Sequence, residues 1–323
     1  MIEPYKQVKT ARYHSLELFK IPLIKLLYLL NKTMVINAVK IVVIFKDIYE
    51  PNIKQFITIL ISTVLFIQLT SCNAENNNIS LDELPLIDVH AHTFKQNPLV
   101  LINLARRENL EKIYIISRSY KKHLPIIRAN RDIARMLIMP ETKSKGWWKK
   151  SESFILKNRD VVAGIKLHPS VDNYIASLQT LSDVFASAEK NRFVIVTHTD
   201  YSKKSNAQNF KPLLEKHPKT KLILYHSCPL DSAIELIKDY PNVFVDISYT
   251  SYNKEWQRRI LNEVGANKVL FGIDTPIGWP KDNDGNIKKH YRNVVNRISP
   301  WYGSDREIME KILYKNARNL FEE

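Results

Sequence analysis

Short apolar runs alternate with longer segments of helical periodicity from residue 81 to the end of the chain. The runs predict eight β-strands, at 85–92, 112–117, 134–139, 161–167, 193–197, 221–225, 243–247 and 268–273. Helical segments are predicted between them, among others at 98–110, 174–190 and 305–321. Strands that alternate with helices favour parallel pairing. Eight such units over about 240 residues predict an α/β fold, a (β/α)8 TIM barrel.

Histidine and aspartate residues stand at the ends of several of these strands. His90 and His92 lie two apart in the first strand, so both side chains point to one side of it. The fifth, sixth and eighth strands are followed by His198, His226 and Asp274. Catalytic groups of such barrels lie at the C-terminal ends of the strands, and neutral imidazoles are good ligands for zinc and its neighbours. The pattern predicts a metal site at the barrel mouth and indicates an enzyme.

The alternation of side chains along each strand also predicts that the polar groups lie at one end of the barrel. If each strand has one register, Asp88 shares a face with the two histidines of its strand, and Lys166 shares one with His168. The same rule pairs Leu224 with His226. All these polar groups are therefore predicted to line the barrel mouth.

Composition is that of a globular protein with a full core, since 45% of the residues are hydrophobic. The formal charge of +15 is compatible with an anionic substrate, an anionic membrane surface, nucleic acid or a merely solvated surface. Two cysteines exclude a disulfide framework. No specific nucleic acid is expected as a partner, and no oligomeric state follows from the sequence.

The N-terminal region predicts targeting rather than fold. Lys54 precedes the apolar stretch 57–69, which is short for a bilayer span and typical of a secretory signal. Residues 69–72 resemble a bacterial lipobox, which would place a lipid anchor on Cys72 and the protein at a membrane of the bacterial cell envelope, periplasmic or surface-exposed. An anchor helix that ends in a cysteine is the alternative. Residues 73–81 would form a tether, and residues 82–323 would form the barrel. Residues 1–53 are interpreted as upstream sequence that is translated because the start codon is misplaced.

Five motifs resemble the amidohydrolase superfamily, in particular its amidohydrolase-related branch. They occur in order as IDVHAH at 87–92, GIKLHP at 164–169, VTHTD at 196–200, YHS at 225–227 and FGIDTP at 271–276. The resemblance implies that His90, His92, His198 and Asp274 bind a divalent metal, usually zinc. It implies that His226 either binds a second ion or acts as an acid/base group.

The implied reaction is hydrolysis of an amide, ester or lactone bond of a small molecule, which can be anionic. A metal with three imidazoles and a carboxylate lowers the pKa of water from about 15.7 towards 7. Asp274 would accept the proton, and His226 would polarise the carbonyl or stabilise the oxyanion. A metal-dependent non-oxidative decarboxylase of the same branch is the alternative, and a binding barrel that keeps its metal only for stability is a further one.

The fourth strand leaves the number of metal ions open. Some members of the superfamily carry a carboxylated lysine there that bridges two ions, and Lys166 occupies that strand. We favour a free ammonium that contacts an anionic substrate group, and one ion, because His168 follows two residues later. His168 is expected in the pocket wall, and Arg118 pairs with a substrate carboxylate or lies on the surface. Asp88 and Asp246 are expected to orient the ligands.

Overall fold

The computed structural model describes residues 83–93, 97–248, 253–277, 291–303 and 305–322. The chain divides into two compact units, Met1–Asn78 and Ile79–Glu323. The predicted targeting region with Cys72 and the tether 73–81 lie outside the described residues. Among the residues that are described, no helix has both the length and the apolar character needed to cross a membrane.

In the described part of the chain, eight parallel strands form one sheet in sequence order. They are β1 (Ile87–His92), β2 (Lys112–Ser117), β3 (Ala134–Ile138), β4 (Val162–Leu167), β5 (Val194–His198), β6 (Leu222–Tyr225), β7 (Val243–Asp246) and β8 (Val269–Leu270). Backbone hydrogen bonds then close the ring, because Val89 N donates to Phe271 O and Thr275 N donates to His90 O, each at 3.0 Å. The predicted (β/α)8 barrel is confirmed.

Helices cover the outside of this ring. They are α1 (Pro98–Arg107), α2 (Tyr120–Ala129), α3 (Trp147–Lys157), α4 (Pro169–Asp172), α5 (Leu178–Asn191), α6 (Lys211–Lys216), α7 (Leu230–Asp239), α8 (Lys254–Val264), α9 (Tyr291–Ile298), α10 (Arg306–Glu310) and α11 (Asn316–Glu322). Short 3-10 segments occur at Ala207–Phe210, Ala266–Lys268 and Ser299–Tyr302, and one π-helical turn at Lys311–Lys315 joins α10 to α11.

Two predicted boundaries are wrong, each for a local reason. The helix expected from residue 174 begins at Leu178, because Asn173 adopts a left-handed conformation and Ser177 forms a capping box with Thr180. The eighth strand, expected at 268–273, pairs regularly only over Val269–Leu270. Beyond that point single hydrogen bonds replace the ladder, and the chain bends into the barrel mouth.

Strand register decides which side chains face the barrel interior. Lys166 pairs with Val196 and His198 pairs with Tyr225, so these four side chains point inward. Gly164 lies so close to β5 that a Cβ would overlap the carbonyl oxygen of Val194. The apolar residues on the other face of each strand pack against the helices in one continuous buried cluster from Leu84 to Leu320.

The predicted parity of the sixth strand is wrong. Tyr225 points inward instead of Leu224, since it pairs with inward-facing His198. His226 nevertheless reaches the mouth because His226 and Ser227 have φ angles of 73° and 51°, which break the alternation of the strand. The strand rule alone cannot foresee this turn.

Candidate active site

Strand β1 and the segment after β8 bring three polar side chains to one point. The Nε2 atoms of His90 and His92 lie 3.1 Å apart. Asp274 Oδ1 lies 3.1 Å from His90 Nε2 and 3.4 Å from His92 Nε2. Asp274 reaches this position with a φ of 58°, an unfavourable conformation that clusters at functional sites when its surroundings enforce it.

A buried carboxylate beneath the histidines orients them. Asp246 Oδ2 accepts a hydrogen bond of 2.6 Å from His90 Nδ1. Its Oδ1 accepts 2.9 Å hydrogen bonds from the backbone N of His226 and from Ser248 Oγ. Burial raises the pKa of Asp246, while the hydrogen bonds from His226 N and Ser248 Oγ and the charge of Lys166 favour its carboxylate form. With its proton on Nδ1, His90 presents the Nε2 lone pair to the cavity.

His226 completes the group from the sixth strand. Its Nε2 lies 4.0 Å from Asp274 Oδ2, and its Nδ1 lies 3.0 Å from Ser248 Oγ. Since Ser248 Oγ donates to the carboxylate beneath, it can accept from Nδ1 and leave Nε2 unprotonated. His90, His226 and Asp274 each offer one ligand atom within 4.8 Å of the others.

His198 and His168 form the neighbouring wall. Their rings stack with centroids 4.0 Å apart, and the His198 ring is 4.7 Å from that of His226. His198 Nε2 lies 3.2 Å from Asp200 Oδ2, which also accepts a 2.6 Å hydrogen bond from Ser170 Oγ. His198 therefore lies beside the candidate ligands, and its role as a metal ligand stays a prediction.

The donor set fits a divalent transition metal. Asp274 Oδ1 is buried and has no hydrogen-bond partner among the described residues, although two imidazoles face it. Burial lowers the pKa values of His90, His92 and His226 well below the usual range, which keeps the rings in the neutral form that binds metals. Neutral imidazole nitrogens together with a carboxylate oxygen are the ligands of zinc and similar ions.

A cavity of about 660 Å³ opens above this group. Its wall contains His92, Ile116, Arg118, Met139, Lys166, His168, Val171, His198, His226, Asp274 and Ile277. The three predicted substrate-binding residues, Arg118, Lys166 and His168, therefore border the same space as the candidate ligands.

Lys166 is the buried cation of this cavity. Its side chain is 2% exposed, and its Nζ lies 4.0 Å from the centre of the Tyr225 ring. No carboxylate of the described residues lies within 4.0 Å of it. Burial lowers the pKa of Lys166 to about 7, while Asp274 and Asp246 act in the opposite direction. Arg118, at the rim, donates through Nη2 to Asp172 Oδ1 at 2.9 Å.

Sequence reasoning missed two parts of this site. The Tyr225 ring stacks on His90 at 3.6 Å between centroids, and its hydroxyl donates to Val89 O. Asp200 Oδ2 lies 3.2 Å from His198 Nε2 and holds that ring in its orientation. Tyr225 precedes a candidate histidine, and Asp200 follows another by two residues, so a search for polar or aromatic neighbours of the histidines would have found both.

Comparison with known proteins now identifies the family. The sequence model of a family described as amidohydrolase matches residues 157–322, slightly more than half of the 323 residues. The chain belongs to this amidohydrolase family. No curated protein matches it in sequence.

Solved structures share the amidohydrolase barrel at low identity. Dihydroorotase from Campylobacter jejuni is 17% identical with a TM-score of 0.57, over 74% of this chain and 84% of that one. A putative 2-pyrone-4,6-dicarboxylic acid hydrolase from Pseudomonas putida is 14% identical with a TM-score of 0.55, over 74% and 98%. The 5-carboxyvanillate decarboxylase from Sphingomonas paucimobilis is 11% identical with a TM-score of 0.53, over 74% and 99%. These likenesses show the fold, and the proteins named are hydrolases and a decarboxylase.

Proposed function

We propose that the chain is a metal-dependent hydrolase that cleaves an amide, ester or lactone bond of a small anionic molecule. One observation carries the proposal: the buried Asp274 Oδ1 has no hydrogen-bond partner among the described residues and faces two imidazole nitrogens at the floor of a cavity. The Nε2 atoms of His90 and His92 and the Oδ1 atom of Asp274 lie within 3.4 Å of one another, and two imidazole nitrogens with a carboxylate oxygen are a donor set that binds one cation. A divalent ion, zinc by preference, satisfies all three.

His90, His92 and Asp274 would hold such an ion, with His226 or His198 as a further ligand. When bound, the ion supplies a Lewis acid that polarises a carbonyl and lowers the pKa of water. We favour one ion, with Lys166, whose Nζ lies 4.0 Å from the centre of the Tyr225 ring, as a contact for an anionic substrate group.

Side chains of the cavity would carry out proton transfer and substrate binding. Burial raises the pKa of Asp274 to about 6, partly offset by Lys166, so this carboxylate can take up a proton near neutral pH. With Nε2 unprotonated, His226 can accept a hydrogen bond from an N–H or O–H group of a substrate in the cavity. The ammonium of Lys166 attracts an anionic substrate group, and Arg118 at the rim adds a second positive charge.

Non-oxidative decarboxylation is the second candidate, and the two cationic side chains at the cavity wall are the observation that favours it. Lys166 and Arg118 border the cavity and could hold the carboxylate of an acidic substrate. Lactone and amide panels test the first reaction, and carbon dioxide release from aromatic or unsaturated acids tests the second.

Elemental analysis of the purified protein after buffer exchange is the first experiment. One equivalent of zinc or a similar ion supports the proposal, two equivalents would assign a carboxylated Lys166, and none would contradict metal dependence. Asp274→Asn should abolish turnover, and circular dichroism should show that the fold is retained. His226→Asn and His198→Asn, compared for metal content, then decide which of the two rings is a ligand.

We also propose that the protein is anchored to a membrane through a lipid on Cys72, as the lipobox-like residues 69–72 suggest. Incorporation of labelled fatty acid in a bacterial host tests this, with Cys72→Ser as the control. Equal labelling of that variant would contradict the anchor.

A further inference from the structure

Two loops at the barrel mouth are joined into one structure, called here the β4–β5 ridge (residues 168–178 and 199–206). Ser170 Oγ donates to Asp200 Oδ2 at 2.6 Å, and Ser170 N donates to Ser205 Oγ at 3.0 Å. Asp200 Oδ1 accepts from Ser202 N at 2.8 Å, and Lys204 Nζ donates to Asn173 Oδ1. Three of these four bonds cross between the loops after β4 and β5, so the ridge has a fixed shape.

The ridge presents apolar side chains to solvent. Val171, Ile175 and Tyr201 are 59%, 54% and 69% exposed, and Leu178 is 40% exposed. Seven large apolar side chains of the described residues are this exposed, and four of them lie on the ridge. Val171 also lines the cavity, so the apolar surface borders the entrance to the site. An apolar cluster of this kind marks a surface for interaction.

The same end of the barrel carries an excess of unpaired positive charge. The segments 118–122, 139–150, 168–178 and 199–206 contain nine Lys and Arg against three Asp and Glu, an excess of six. Seven of the lysines are exposed: Lys121, Lys122, Lys143, Lys145, Lys149, Lys150 and Lys203. No carboxylate of the described residues lies within 4.0 Å of their amines.

Several arginines at the opposite end of the barrel are paired with carboxylates. Arg106 lies 2.9 Å from Asp132, Arg128 lies 3.1 Å from Asp160, and Arg318 pairs with Glu111. Lys157, Lys190 and Lys219 at that end are exposed and have no carboxylate of the described residues within 4.0 Å, so the feature that sets the mouth apart is the exposed apolar ridge beside its lysines.

Local helix electrostatics do not explain the lysines at the mouth. Lys121 and Lys122 lie in the first turn of α2, and Lys149 and Lys150 lie in the first turn of α3. Neither first turn contains an acidic residue. Helix N-termini carry a partial positive charge, so these lysines oppose the helix dipole and add to its potential. These four lysines are thus placed to meet an anion outside the protein.

We propose that this end of the barrel docks on an anionic lipid surface, with the apolar side chains of the ridge in the interface and the lysines on lipid phosphates. Exposed aliphatic residues beside lysines are the composition that binds such surfaces. A second copy of the chain would bring two positive surfaces together. A nucleic acid would match the charge but offers no partner to Ile175 and Leu178. The proposal goes beyond the proposed reaction and does not require a lipid on Cys72.

The test uses the full chain with a polarity-sensitive dye on Ile175→Cys, and the parent chain treated with the same dye as background. Vesicles of phosphatidylcholine with about one third phosphatidylglycerol should shift the emission to the blue, and vesicles of phosphatidylcholine alone should not. The triple variant Lys145→Glu, Lys149→Glu, Lys150→Glu should need about 100-fold more lipid, since each lysine near such a surface contributes about fivefold. Leu178→Ser should need about threefold more.

The matched control is Lys157→Glu, Lys190→Glu, Lys219→Glu, which makes the same charge change on exposed lysines at the opposite end. It should bind within about twofold of the parent if contact at the mouth, and not net charge, drives docking. A dye that stays in water while the chain sediments with vesicles overturns the proposal. Equal losses of vesicle affinity in the two triple variants also overturn it. If polyuridylate displaces the vesicles at a phosphate concentration below that of the lipid, the surface is assigned to nucleic acid and the proposal is overturned as well.

Discussion

Asp246→Asn tests whether the buried carboxylate sets the metal affinity through His90. Oδ1 of Asp246 receives two donors, the backbone N of His226 and Ser248 Oγ, so the single oxygen of an amide stays at that position. The new NH2 group then faces His90 Nδ1, which donates to Oδ2 at 2.6 Å in the parent. Two donors cannot share this contact, and the proton of His90 moves to Nε2, the atom that faces the site.

The expected cost is one hydrogen bond to a charged group, about 1.5–3 kcal/mol. At about 1.4 kcal/mol for each factor of ten, zinc affinity should fall roughly 10- to 100-fold. Competition with a chromophoric chelator measures this change directly, and circular dichroism checks that the fold is retained.

Asp88→Asn is the matched control for that experiment. Asp88 is equally buried, but its Oδ1 accepts from the backbone N of His90 at 2.8 Å and its Oδ2 from Tyr291 Oη at 2.7 Å, so it touches no imidazole. This variant should melt at a lower temperature and bind zinc within about threefold of the parent. If Asp246→Asn loses no more affinity than Asp88→Asn, the carboxylate does not act through the tautomer of His90.

Three further changes probe the barrel. Gly164→Ala should destabilise by about 3 kcal/mol or more in denaturant titration, because the new Cβ overlaps the carbonyl oxygen of Val194; a wild-type midpoint would contradict this packing. Tyr225→Phe keeps the ring under His90 but removes the hydroxyl donor to Val89 O, and should cost about 1 kcal/mol with zinc affinity unchanged. Lys166→Met should raise the free energy of unfolding of the chelator-treated protein by at least about 1 kcal/mol below pH 7. Burial lowers the pKa of Lys166 from 10.5 to about 7, so between these pH values the unfolded chain binds one proton more than the folded chain and the parent becomes more stable as pH rises. The stability gained by Lys166→Met should therefore fade towards pH 10.5. A gain in stability that grows with pH would refute this reasoning.

The sequence predicts most of the barrel because each strand is a continuous apolar run and each run ends in polar residues. The prediction from sequence fails where the backbone departs from regular strand or helix geometry. The eighth run continues to Ile273 in apolar residues, but only Val269–Leu270 pairs regularly, since Thr275 contacts β1 through single hydrogen bonds. The start of α5 was misplaced for a similar reason, because a serine cap outweighs the apolar pattern before it.

The choice between His198 and His226 shows what strand patterns cannot decide. Both histidines follow apolar strands, and the sequence presents them as equals. What separates them is the partner of each ring nitrogen: Asp200 lies 3.2 Å from Nε2 of His198, whereas Ser248 lies 3.0 Å from Nδ1 of His226. The first contact turns the outer nitrogen of His198 towards a carboxylate in the next loop, and the second leaves the outer nitrogen of His226 directed at Asp274. The choice between the two histidines therefore depends on loop residues that carry no strand pattern, and the metal content of His226→Asn and His198→Asn decides it.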